Sequence, residues 1–71
     1  RNKMATKNNN ETAGYQGEDG MAEITQQKDG TFYILVSGDY DFDSSAKNKN
    51  ELETKLTGWG YTQHVYGAQL F

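Results

Sequence analysis

The chain has 71 residues, a net charge of −3 at neutral pH, and neither cysteine nor proline. That length allows one domain with a small buried fraction, and the missing cysteines exclude both a disulfide framework and a thiolate zinc centre. No run approaches the roughly 20 apolar residues of a membrane-spanning helix, and residues 1–20 carry no apolar stretch like that of a secretory signal.

From Arg1 to Gly20 the only apolar side chains are Met4, Ala5, Ala13 and Tyr15, set among asparagines and glycines. Such a segment buries too little to offset its ordering entropy, so residues 1–20 are expected to form a flexible polar arm. If the arm orders along a partner, Tyr15 is its natural anchor. The arm is also where the basic charge lies. Arg1, Lys3 and Lys7 stand in residues 1–10 with no acid, whereas residues 11–71 hold ten acids against four lysines. The acidic body repels phosphate backbones, which disfavours nucleic acid for the folded part. A weak contact through Arg1, Lys3 and Lys7, with Tyr15 stacking on a base, stays open. The chain opens on Arg1, consistent with a processed product or a fragment, and Met4 and Met21 are candidate native starts.

Order is expected over residues 21–71. Ala22 and Ile24 alternate with Glu23 and Thr25, and a second run, Thr31 to Ser37, follows the turn signal Lys28-Asp29-Gly30. A three-residue loop ending in glycine suits a type I turn with a left-handed bulge residue, and it sets Ile24 opposite Ile34 and Ala22 opposite Val36. A two-residue Asp29-Gly30 turn would instead set Ile24 opposite Leu35. Phe32, Ile34 and Val36 point one way and Tyr33 and Leu35 the other, the pattern of a central strand covered on both faces. A helix is expected over Ser45 to Thr57, capped by Asp43, Ser44 or Ser45 and ended by Gly58 or Gly60, with Leu52, Leu56 and Trp59 as its apolar stripe. Tyr61 to Phe71 then reads as a last strand bent at Gly67. The expected class is α+β: a β-β-α-β domain with a three-stranded sheet and one packed helix, behind the flexible arm. So thin a core invites completion by a partner or a second copy.

Candidate chemistry is sparse. Asp39-Tyr40-Asp41-Phe42-Asp43-Ser44 opens like an EF-hand calcium loop, but Ser44 stands where that loop needs glycine and Asn50 where it needs a bidentate acid. An acidic connection leading into a helix explains it better. His64, the one histidine, has no second ligand at metal-binding spacing and no Gly-x-Ser-x-Gly turn to accompany it. A domain this thin hardly encloses a substrate pocket of several hundred Å³. No catalytic group, cofactor, metal or small-molecule substrate is therefore expected.

Aromatic residues exceed what the core can hide. Tyr33, Tyr40, Phe42, Tyr66 and Phe71, with Tyr15 from the arm, are the candidate partner-binding residues, since aromatics supply contact area at low entropy cost. For Tyr40 and Phe42, packing beneath the helix is an equal alternative. Trp59 is expected in the core, continuing the Leu52 and Leu56 stripe.

One stretch carries a family likeness. Phe32 to Gly38, followed by Ala46, Leu52, Leu56 and Gly60-Tyr61, is similar to half of a SPOR domain over residues 32–61. That likeness implies a β-α-β unit that binds bare glycan strands of peptidoglycan. The leading expectation is a non-catalytic protein-binding or assembly protein, structural or inhibitory, that docks on a larger protein or on copies of itself. Its small size fits a viral or mobile-element protein.

Overall fold

The computed structural model describes residues 11–71; the first half of the expected arm, residues 1–10, lies outside the described residues. In chain order the elements are β1 (Glu11–Gln16), β2 (Gly20–Gln26), β3 (Phe32–Gly38), β4 (Phe42–Ala46), α1 (Lys49–Trp59) and β5 (Gln63–Gly67). The strands form one antiparallel sheet in the order β4-β3-β2-β1-β5. The class α+β stands, but the three-stranded sheet is corrected to five strands, and the two additions are β1 and β4.

β1 overturns half of the flexible arm. It is poor in apolar residues, yet it lies between β2 and β5, so its backbone bonds a neighbour on each side. Its inward side chains, Ala13 and Tyr15, are fully or almost fully buried in the core. Period-two alternation allows this, because a strand needs apolar residues only at every second position when one face is buried. A tight connection, with Gly17 N donating to Gly20 O at 2.9 Å, returns the chain into β2.

The β2–β3 hairpin follows the three-residue turn. Gly30 N donates to Gln27 O at 3.0 Å, Gly30 takes φ 90°, and the strands pair Ile24 with Ile34 and Ala22 with Val36. Asp29 accepts from the Thr31 hydroxyl at 2.6 Å and from Thr31 N at 3.0 Å. These bonds hold its carboxyl below the ordinary aspartate value.

β4 replaces the expected start of the helix. Phe42 to Ala46 pair with Val36 to Phe32, which commits Ser44 and Ser45 to the sheet. The cap therefore falls to Asn48, whose side chain accepts from Glu51 N at 2.8 Å, while Glu51 reaches back to Lys47 N at 2.7 Å. This reciprocal pair satisfies backbone donors at the first turn. Gly60 ends the helix in the left-handed conformation, with Gly60 N and Tyr61 N both donating to Leu56 O at 2.9 Å. The extra strand also breaks the β-α-β order implied for residues 32–61 by placing β4 between β3 and α1.

The core lies on one face of the sheet. Phe32, Ile34, Val36, Ile24, Ala22 and Tyr15 meet Leu52 and Leu56 of α1, with Tyr61 and Leu70 closing the ends. Beyond β5 the expected strand stops, and the last residues fold back over the core. Leu70 N donates to the buried Tyr15 hydroxyl at 2.8 Å, and Phe71 stacks on the Tyr15 ring at 4.7 Å. The opposite face of the sheet has no layer on it among the described residues. The expectation that β3 is covered on both faces is thus corrected: Tyr33 and Leu35 are 38% and 41% exposed. One short helix and a four-residue tail cover one side only.

Candidate functional site

The uncovered face can be read row by row from the strand registers. One row runs Tyr66, Gly14, Glu23, Leu35, Asp43 across all five strands, and the next runs Thr12, Thr25, Tyr33, Ser45. At about 4.8 Å between strands, the full row spans roughly 19 Å. Leu35 sits in it between two carboxylates, Glu23 on one side and Asp43 on the other.

Two tyrosines are fixed on this face by those carboxylates. Tyr66 starts on β5, crosses β1 above Gly14, and donates to Glu23 Oε2 on β2 at 2.7 Å. Gly14 makes that crossing feasible, because a Cβ there would overlap the Tyr66 ring. Tyr33 donates to Asp43 Oδ2 at 2.9 Å. Each hydrogen bond, joined by partial desolvation and the neighbouring negative charge, holds its phenol above the ordinary tyrosine value. The rings are therefore held in place while 38% and 40% exposed. A depression of 250 Å³, lined by Tyr33, Asp43, Ser44 and Ser45, adjoins the Tyr33 ring at the β4 edge.

The candidate aromatics fall into three places. Tyr33 and Tyr66 share the uncovered face. Tyr40 is 75% exposed in the β3–β4 turn, and Phe42 opens β4 on the helix side, where it meets Trp59 edge to face at 5.1 Å. Trp59, expected in the core, is 40% exposed, because the helix ends there and its ring lies over the edge strand. Tyr15 and Phe71 pack against each other in and beside the core, so their rings serve the fold. Leu35 and Glu23 were not among the candidates. The signal for them was present: in β2 and β3 they are the residues out of phase with the buried set.

The acidic motif is spent on local structure. Asp41 Oδ1 accepts from Gly38 N at 3.0 Å to close the β3–β4 turn, and strand alternation sends Asp43 and Phe42 to opposite faces. No three His, Asp or Glu side chains converge on a cation position among the described residues. His64 Nε2 lies 3.0 Å from Gly67 O, and since a carbonyl only accepts, that nitrogen carries the proton. It stands on β5, the edge opposite Ser44 and Ser45 of β4, roughly 19 Å across the sheet. A serine–histidine pair is therefore out of reach there. No helix among the described residues is long and apolar enough to cross a membrane.

No family model matches the chain, and no curated protein or solved structure matches it significantly.

Proposed function

We propose that this protein is a non-catalytic docking module that binds a larger protein through the uncovered face of its sheet. The observation that carries the reading is the ordered aromatic and apolar set on that face, Tyr33, Leu35 and Tyr66, with both rings anchored by carboxylates. Rings already held in place lose little rotamer entropy on binding, the condition under which aromatic contacts yield affinity. Flat sheet faces suit broad protein contacts and enclose no small substrate. A patch only five strands wide falls short of the roughly 800 Å² per partner of a stable complex, so the contact is weak or extends onto Tyr40 and the β4 edge.

The test is a differential capture. The full chain and two variants, Leu35→Gln with Tyr66→Ala on the face and Trp59→Ala on the opposite side, are used as bait against a lysate of the source cells. The reading requires a protein retained by the parent and by Trp59→Ala and lost by the face variant, with all three equally folded by circular dichroism. Retention on isolated cell-wall glycan, with no protein lost by the face variant, would replace it with SPOR-like glycan binding.

A further inference from the structure

The uncovered face also specifies the chemistry of what docks there, an inference that rests on the docking reading above. Each anchored tyrosine presents its ring beside a carboxylate that uses one oxygen for the phenol, Oε2 in Glu23 and Oδ2 in Asp43. Among the described residues neither carboxylate is paired with a cation, the one ion pair being Lys55 with Glu51 at 3.9 Å. Of the four lysines in residues 11–71, Lys28 lies in the β2–β3 turn and Lys47, Lys49 and Lys55 lie on or beside α1. Lys55 reaches the β4 edge, donating to the Ser45 carbonyl and, at 3.3 Å, to the Ser44 hydroxyl, but its charge is shared with Glu51. Among the described residues the face is negative and holds no basic side chain.

A ring face next to a carboxylate is the combination that takes a guanidinium, which stacks on the one and donates to the other. Lysine fits less well, because a compact, strongly hydrated ammonium gains little from the ring. The two brackets flank Leu35 across the strands, with carboxylates on β2 and β4, roughly 10 Å apart by strand spacing. We propose that the face is a receptor for an arginine-bearing protein surface, with an apolar side chain seated on Leu35 and a guanidinium at each of the Tyr66–Glu23 and Tyr33–Asp43 pairs. A second copy is a poor occupant, since two such faces would meet acid to acid. Nucleic acid is repelled by the same charge.

The experiment titrates the isotope-labelled full chain with octa-arginine, octalysine and the peptide of residues 1–10, following amide and aromatic shifts. The inference expects octa-arginine to shift Glu23, Tyr33, Leu35, Asp43 and Tyr66 and to bind about tenfold tighter than octalysine. It also expects the Glu23→Gln, Asp43→Asn double variant to lose that preference while keeping the circular dichroism spectrum of the parent at the titration temperature. Equal affinity for both homopolymers, with shifts gathered at the Asp19 and Asp39 turns, would show unspecific attraction and overturn the inference. Tightest binding of the 1–10 peptide would give the face to the chain's own sequence and overturn it too. The docking reading falls separately: it fails if the Leu35→Gln, Tyr66→Ala variant captures the same protein as the parent, whatever the peptides do.

Discussion

Tyr15 gives the sharpest test of the fold, because the composition around it suggests a mobile anchor whereas its side chain is 1% exposed. Its hydroxyl accepts from Leu70 N at 2.8 Å, and its ring stacks on Phe71 at an interplanar angle of 11°. In Tyr15→Phe the ring remains but a buried amide loses its acceptor, at a cost of about 1–3 kcal/mol. Tyr15→Ala removes the ring as well, for about 3–5 kcal/mol by analogy with other buried aromatics. At the usual stability per residue, residues 11–71 hold roughly 3–9 kcal/mol in all. Tyr15→Phe should therefore lower the urea midpoint by about 1 M or more, given a slope of about 1 kcal/mol/M for so small a domain. Tyr15→Ala should lower it by about 3–5 M, which unfolds the chain in plain buffer when its stability lies at the lower end of that range. Melts followed by Trp59 fluorescence and by far-ultraviolet circular dichroism would report both. If Tyr15→Ala melted like the parent, β1 would not belong to the folded body, and the five-stranded sheet would be refuted.

Other consequences can be measured on the same material. Asn48→Ala should cost about 0.5–2 kcal/mol by removing the helix cap, and Asn48→Gly only a few tenths, in the same urea assay. The phenols of Tyr33 and Tyr66 are raised above the ordinary value near 10.0 by bonds they donate to Asp43 and Glu23. Their contribution to stability is thus complete below the unfolded-state value and is lost as pH rises through the higher folded one. Ultraviolet titration should show two tyrosines ionising late, and Asp43→Asn should return one of them toward the ordinary range. A parent titration with no late component would contradict both hydrogen bonds.

What could be read from the sequence was what local physics decides. Lys28-Asp29-Gly30 between alternating runs specifies the β2–β3 turn and its register, because turn geometry and the inward phase of Ile24 and Ile34 agree. Gly60 and the Leu52, Leu56 pair likewise mark the end and the buried stripe of α1. β1 was not legible, since its order depends on neighbours far along the chain: Tyr66 lies over Gly14, and Leu70 bonds Tyr15. β4 was masked by composition, because Asp43, Ser44 and Ser45 resemble a helix cap and only pairing with β3 decides against it. Asn48 and Glu51 carried the correct capping signal three residues apart, in competition with those earlier candidates. The uncovered face was hidden by the opposite assumption, that apolar residues on both sides of β3 mean cover on both sides. Within residues 11–71 the available cover, one helix with Leu52 and Leu56 buried and a short tail, is enough for one side only.

The central claim is that one face of the sheet holds the core and the other is left for a partner. Solvent paramagnetic relaxation on methyl and aromatic protons of the free chain tests it most directly, using a neutral gadolinium chelate. Strong relaxation is predicted for Leu35, Tyr33 and Tyr66, and weak relaxation for Ile34, which alternates with Tyr33 and Leu35 along β3, and for Ile24 of β2 and Tyr15 of β1. Leu35 methyls as protected as those of Ile34 would mean that both faces are covered, and the docking surface would not exist.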